Sequence, residues 1–236
     1  MINTKRIIRK LIEFIFIASI FFSIFMIVKW IAGVQKNKSI VKEINTKINL
    51  EEIRNGKNEI DFDYLLRYNS DTVGYLMVDG IDINYPVVKT DNNDYYLNHS
   101  FDKNKNVAGW IFMDYRNNDI NTDRNTIIYG HNMKDGSMFG KLKQLKNNNS
   151  GTIYYYTDNS KLTYKIFSLY EIEEEDYYIK TVFNDDDTYL SFLETLKGRS
   201  IQKIDYNPSV SDQIITLSTC STGGRRFVVH AALLVD

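Results

Sequence analysis

The stretch QIITLSTCSTGGRRFVVHAALLV, residues 213–235, holds two runs rich in Ile, Val, Thr and Ala on either side of a short polar segment. β-Branched residues favour strands and paired glycines favour turns, so this stretch predicts two strands joined by a turn. Six similar runs precede it. In chain order, the eight predicted strands are 74–78, 81–88, 110–113, 126–129, 152–156, 162–172, 213–219 and 227–235. Eight short strands bounded by Gly, Asn and Asp clusters predict a mainly β fold, either a barrel or a sandwich.

Helical segments are predicted before and between these strands. Ile40, Ile44 and Ile48 recur every four residues, which is typical of an amphipathic helix, and Gly56 is expected to end it. Shorter helical segments are predicted at 61–68, 94–99, 137–145 and 188–197. The last of these carries an apolar stripe after an acidic start, formed by Tyr189, Leu190, Phe192, Leu193 and Leu196.

The composition excludes several classes of function. The chain has 236 residues, a net charge of −1, three His and one Cys. A single Cys excludes an intramolecular disulfide and any metal site built from several cysteines of one chain. A charge near zero provides no basic field for nucleic acid, so no nucleic-acid partner is expected.

The N-terminal segment differs from the rest in both charge and hydropathy. No charged residue interrupts Phe14–Val28, and the wider range 11–34 is mostly apolar. About 20 such residues cross the hydrocarbon core as a helix. Four Lys or Arg in residues 1–10 favour a cytoplasmic N-terminus. The sequence therefore predicts a cytoplasmic tail at 1–10, a transmembrane signal anchor at 11–34 and an extracellular remainder.

Two further boundaries and one alternative follow from the same region. Residues 35–72 are expected to form a stalk with N-terminal helices, and 73–236 the β-domain. A cleaved signal peptide is the alternative to an anchor, although Ile31-Ala32-Gly33 is a poor match to the small-x-small cleavage pattern.

Cys220 is the candidate nucleophile because it ends a predicted strand beside a glycine-containing loop. A reactive thiolate needs a proton donor for the leaving group and a positive or N–H donor for the oxyanion. His131, after the run TIIYG, and Arg226, before the last strand, are the candidates for these roles. His230 is a rival acid and Arg225 a rival cation. Cys220 as a packing residue is also possible, and spacing alone leaves these alternatives open.

Several segments resemble one family. The sequence TLSTC at 216–220, followed by an Arg before a Val-rich final strand, resembles the signature of sortases, the cysteine transpeptidases of Gram-positive surfaces. Other segments resemble the class B subfamily over about residues 60–236. They are VGYLMVDGIDINYPVV at 73–88, DYYLNHSF at 94–101, GWIFMDYRN at 109–117 and NTIIYGHNMKDGSMFGKL at 125–142.

The resemblance implies a fold and a set of roles. The fold is an eight-stranded sortase β-barrel with N-terminal helices and a helix, 188–197, between the sixth and seventh strands. Cys220 would be the nucleophile, His131 the general acid/base and Arg226, which abuts the strand, the group that stabilises the oxyanion. The resemblance also implies five substrate-groove residues, which are Asn93, Leu97, Tyr178, Ile179 and Ser218. The resemblance implies no metal or cofactor.

The implied function is cleavage of an NPxT[N/G]-like C-terminal sorting motif of secreted proteins after Thr. A Cys thioester then passes the protein to an amine of peptidoglycan or its lipid II precursor. Assembly of pili by the same chemistry is an alternative. A papain-type peptidase would instead carry its Cys early, at a helix N-terminus, with the His downstream. A membrane-tethered β-domain that binds without catalysis predicts an unreactive Cys220.

Overall fold

The computed structural model describes residues 4–54, 60–147, 151–173, 175, 177–220 and 224–234, and these form a closed β-barrel with helices around it. The strands are Thr72–Val78 (β1), Ile83–Val88 (β2), Phe112–Met113 (β3), Asn125–His131 (β4), Thr152–Tyr156 (β5), Lys161–Glu173 (β6), Ile214–Cys220 (β7) and Arg225–Leu233 (β8). The helices are Thr4–Lys47 (α1), Leu50–Arg54 (α2), Phe62–Tyr68 (α3) and Asp186–Gly198 (α4). The expected mainly β fold is confirmed as a barrel, not a sandwich.

The order of strands around the barrel is β1-β2-β3-β4-β7-β8-β6-β5, and pairing of β1 with β5 closes it. Most neighbours are antiparallel, but β4 and β7 run parallel over seven residue pairs. Parallel neighbours need a long crossover connection. Here β5, β6 and α4 supply it, so two strands that are distant in the chain end side by side.

The limits of some elements differ from those that the sequence predicts. His131, expected in a loop, is the last residue of β4, and the final strand begins at Arg225. Two expected helices are short 3₁₀ turns, Tyr95–Leu97 and Leu142–Asn147. Leu190 is 38% exposed, so the expected apolar stripe of α4 is buried only at its other four positions.

α4 covers the outer surface of the barrel and creates a second core there. Its N-cap Asp185 accepts a hydrogen bond from the Thr188 amide at 2.7 Å. The negative charges of the acidic residues in its first turn interact favourably with the helix dipole. The cluster beneath the helix includes Phe192 and Leu196 together with Ile214 of β7 and Val228 of β8. Both faces of β7 are therefore buried, which explains why the strand carries no charged residue.

The N-terminal helix joins two segments that the sequence suggests are separate. α1 runs unbroken from the apolar segment into the Ile40–Ile44–Ile48 helix, and these three side chains pack against the barrel core. Among the described residues it is the one helix long and apolar enough to cross a membrane, with a mean hydropathy of 2.6 in its most apolar part. Gly56, expected to end the amphipathic helix, lies outside the described residues.

Candidate active site

Three neighbouring strands end at the same edge of the barrel and bring the candidate residues together. In the parallel pair β4–β7, His131 lies opposite Cys220. In the antiparallel pair β7–β8, Ser218 lies opposite Val228. Continuing that register by two residues on each strand brings Cys220 opposite Arg226. Because adjacent strands lie about 4.8 Å apart, the backbone of Cys220 is flanked by His131 on one side and Arg226 on the other.

The alternation of side chains along β8 places Arg226 on the outer face of the sheet. Leu217 and its partner Val229 belong to the barrel core, whereas Val228 belongs to the outer core under α4. Counting in steps of two from Val228, Arg226 falls on the outer face.

Arg225 falls on the other face of β8. It shares the face of Phe227, which lies in the barrel core, and its Cα partner is Glu173 of β6. The register therefore favours Arg226 over Arg225 as the cation beside Cys220. Arg226 is also the less exposed of the two, since it is half-buried while Arg225 is exposed.

A hydrogen bond to the backbone fixes one nitrogen of His131. Its Nε2 lies 2.7 Å from the carbonyl oxygen of Leu97. A carbonyl can only accept, so Nε2 carries the proton and donates, whether the ring is neutral or charged. Nδ1 is therefore the ring nitrogen that does not take part in this bond. Gly109 allows this arrangement, since a Cβ there would lie 2.8 Å from the Leu97 carbonyl oxygen and 2.9 Å from His131 Cδ2.

His230 does not meet the requirements of a general acid. The side chain is fully buried, with Nδ1 2.9 Å from Thr216 Oγ1 and Nε2 3.0 Å from the Tyr170 hydroxyl. Burial, together with the nearby Arg199 charge, lowers the pKa of His230 to about 3. The ring is neutral at physiological pH and both of its nitrogens have hydrogen-bond partners, so its role is structural.

His230 should make stability depend on pH. Its pKa is about 3 in the fold and about 6.5 when unfolded, so the stabilisation is complete above pH 6.5 and is lost as the pH falls towards 3. Between pH 7 and pH 5 this group should lower the free energy of unfolding by about 2 kcal/mol. In His230→Gln that part of the decrease should disappear, as measured by urea unfolding followed by near-ultraviolet circular dichroism. An equal decrease in both proteins would show that His230 is protonated in the fold.

Beside the strand ends, a buried carboxylate ties together three segments of the chain. Asp114 is buried and accepts hydrogen bonds from Tyr129 Oη at 2.8 Å and Asn93 Nδ2 at 3.2 Å, and a forked pair from Arg116 at 2.9 and 2.7 Å. Burial alone would raise the pKa of Asp114, but these donors and the Arg116 charge outweigh it and hold that pKa below its usual value. Arg116 also donates to the carbonyl of Ile179 at 3.0 Å.

The structure brings the expected groove residues close to this network. Asn93 is hydrogen-bonded to Asp114 and Ile179 to Arg116, and the Leu97 carbonyl accepts a hydrogen bond from His131. Tyr178 and Ser218 are buried and bonded to each other, with 3.0 Å between their hydroxyl oxygens. These two lie beneath the surface, whereas the other three are partly exposed.

Sequence reasoning missed Asp114, Arg116 and Tyr129. The Asp-x-Arg spacing within GWIFMDYRN is compatible with a local ion pair, but ion pairs of this spacing are common on surfaces. What distinguishes this one is complete burial of the carboxylate and its contact with Tyr129, and both depend on the tertiary fold.

The strand-end cluster contains the groups that acyl transfer by a thiol requires. A thiol can serve as nucleophile, an imidazole as acid and base, and a guanidinium as oxyanion donor. Within the ranges that the structure describes, no group of three or more His, Cys, Asp or Glu side chains is placed to hold a metal ion.

Comparison with known proteins agrees with the fold. The family model described as the sortase domain matches residues 76–234. The chain therefore belongs to the sortase family, whose members are cysteine transpeptidases.

The similar proteins are sortases of one subfamily. The chain is 39% identical over 172 residues to sortase B of Listeria monocytogenes, covering 71% of this chain and 70% of that protein. It is 37% identical over 181 residues to sortase B of Staphylococcus aureus, covering 73% and 74%. A structure of Bacillus anthracis sortase B in complex with AAEK1 matches with a TM-score of 0.77 and 34% identity, covering 87% of this chain and all of that one. These similarities place the chain with the sortase B proteins, cell-wall transpeptidases.

Proposed function

We propose that the protein cleaves an NPxT[N/G]-like sorting motif near the C-terminus of secreted surface proteins and transfers them to an amine of the cell wall. The observation that carries this proposal is the strand register, in which Cys220 lies opposite His131 and, by continuation, opposite Arg226. Membership of the sortase family supports the reaction class. The motif, the acceptor and the roles of individual residues belong to the proposal.

In the first half of the reaction, the Cys220 thiolate attacks the carbonyl carbon of the motif's Thr. Negative charge develops on the carbonyl oxygen, and Arg226 on the adjacent strand stabilises it. One such donor is worth about 3 kcal/mol of transition-state stabilisation. His131 donates the proton from Nδ1 to the departing amine while its Nε2–H remains bonded to Leu97. The peptide bond breaks and a thioester forms.

In the second half, an amine of the wall precursor attacks the thioester. His131 Nδ1, now unprotonated, accepts the proton from this amine, and Arg226 again faces the oxyanion. The thiolate leaves as the new amide bond forms. The acceptor that we propose is the amine of peptidoglycan or of its lipid II precursor.

α1 supports a membrane location for this reaction. Its apolar part is exposed on all sides and its length suffices to cross a bilayer. We propose that it anchors the protein with residues 1–10 in the cytoplasm and the barrel outside the cell. The basic residues before the apolar run favour this direction.

The two arginines give a matched pair of variants that tests the oxyanion assignment. Arg226→Ala should lower kcat/KM by about 10²- to 10³-fold, because an oxyanion donor is lost. Arg225→Ala should change it by less than about threefold, since an exposed charge on the other face contributes little. Steady-state cleavage of a fluorogenic NPQTN peptide measures both. The opposite ranking would transfer the role to Arg225.

The proposed sorting motif and the proposed amine acceptor are tested by supplying a motif peptide and an amine to the protein in one reaction. The full-length protein in detergent is incubated with NPQTN-like and NPxTG-like peptides and with an oligoglycine or lysine-containing amine, and products are identified by mass spectrometry. The proposal predicts cleavage after Thr and an amide between Thr and the added amine. Cleavage at another residue, or hydrolysis without transfer at saturating amine, would contradict it.

A further inference from the structure

The point at which α1 leaves the domain is sharply defined. Side chains from Arg6 to Ile31 are exposed, Gly33 is half-buried and Val34 is buried. Gly33 is thus the first position where the helix meets the rest of the protein. At a rise of 1.5 Å per residue, it lies about 5 Å along the axis from Trp30 and about 8 Å from Val28, the end of the uncharged run.

One loop of the barrel is held against the helix at this height. Asn106 donates from Nδ2 to the Gly33 carbonyl at 2.8 Å and to Asn37 Oδ1 at 2.8 Å. Asn37 in turn donates to the Gly109 carbonyl at 2.9 Å. Both Asn side chains are buried, and a Cβ on Gly33 would lie 2.8 Å from Asn106 Oδ1. The close approach therefore depends on glycine and fixes the loop beside the end of the apolar segment.

The outer surface of this loop, residues 102–107, is apolar at one position and basic around it. Val107 is 53% exposed, although its neighbours Asn106 and Ala108 are buried. Lys103 and Lys105 are exposed, and Lys103 is paired with Asp71 at 2.9 Å. The single carboxylate of the loop, Asp102, is paired with Lys36 of α1 at 3.4 Å. An exposed apolar residue among lysines suits the boundary between acyl chains and anionic headgroups.

We propose that the 102–107 loop is a lipid-contact surface, with Val107 inserted into the headgroup region of the bilayer that α1 crosses. The inference rests on the proposed membrane anchoring. It explains why a barrel loop is bonded to a helix carbonyl next to the apolar run, and why an exposed valine follows immediately.

The arrangement also sets the distance of the active site from the membrane surface. Gly109, two residues beyond this loop, accepts the Asn37 hydrogen bond at its carbonyl and lies against the His131 ring. The anchor, the lipid-contact loop and the candidate acid/base are therefore joined within a few residues. Sorting peptides would be processed close to the membrane surface.

A single cysteine makes the test direct. In a Cys220→Ser background the chain has no other Cys, so Val107→Cys can be labelled with the fluorophore NBD in the full-length protein. The protein is placed in bilayer nanodiscs of phosphatidylcholine and phosphatidylglycerol with shallow nitroxide lipids. The probe at 107 should emit at shorter wavelength than NBD in water and lose about half of its fluorescence to the nitroxides, because interfacial side chains sit about 5–10 Å into the headgroup boundary.

Two labelled controls make every outcome informative. Val182→Cys, at a valine that is 74% exposed in the β6–β7 connection, should show neither change. Phe21→Cys, within the apolar part of α1, should be quenched by deep nitroxide lipids. Quenching at Phe21 without any change at 107, or equal quenching at 107 and 182, would overturn the proposal while the anchor stands. An unquenched Phe21 would overturn both. Neither result bears on peptide cleavage, which is measured separately with Cys220 intact.

Discussion

Replacing Cys220 with Ala is expected to abolish cleavage of a sorting peptide. The loss in kcat should be on the order of 10⁵-fold or more, because catalytic residues that act together lose nearly all of their effect when the nucleophile is removed. Only substrate binding and oxyanion stabilisation would then remain. Release of a fluorophore from an NPQTN peptide measures the effect. Undiminished turnover in Cys220→Ala would contradict the assignment.

The fold should not change in this variant. Cys220 is the last residue of β7, and the strand is held on both sides by its ladders to β4 and β8. The melting temperature and the near-ultraviolet spectrum of Cys220→Ala should therefore match those of the wild type. This control separates loss of chemistry from loss of structure.

Replacing His131 is expected to produce the second-largest effect. General acid–base catalysis contributes about 10²- to 10⁴-fold, so His131→Ala should lower kcat by that factor. His131→Gln is the sharper variant. The amide nitrogen of the Gln side chain can still donate a hydrogen bond to the Leu97 carbonyl, but the amide does not titrate. This variant therefore keeps the contact with Leu97 and loses the ability to transfer a proton.

The three histidines of the chain provide the controls. His131→Gln should be nearly as inactive as His131→Ala, which would show that the missing function is proton transfer at Nδ1. His99→Ala, which removes a ring stacked on Tyr95, should retain most of the activity. His230→Gln should retain activity in its folded fraction. Activity of His131→Gln close to that of the wild type would assign this side chain a positioning role.

The barrel could be predicted from the sequence because its strands have local signals. Residues 152–156 and 162–172 are rich in Tyr, Ile and Leu, and the structure places strands there, β5 and β6. The burial of β7 on both faces accounts for the absence of charged residues in this strand. α4, Asp186–Gly198, forms a helix because Asp185 caps its N-terminus and an apolar stripe meets the sheet.

The assembly of the site could not be predicted in the same way. His131 and Cys220 are 89 residues apart, and only the parallel pairing of β4 with β7 brings them together. The sequence favours Arg226 over Arg225 only because Arg226 abuts the predicted last strand, whereas the β7–β8 register, continued by two residues, brings Arg226 opposite Cys220. The continuity of α1 was also missed, because lysines between the apolar run and Ile40 interrupt the pattern.

The central claim is that Cys220 forms a thioester with the Thr of the sorting motif. It is tested most directly by intact-mass spectrometry of the full-length protein after brief incubation with peptide in the absence of an amine acceptor. The account predicts a mass increase equal to the acyl fragment ending in Thr, located on Cys220 by digestion and removed by hydroxylamine. Cleavage without any such adduct, or an adduct on another residue, would contradict it.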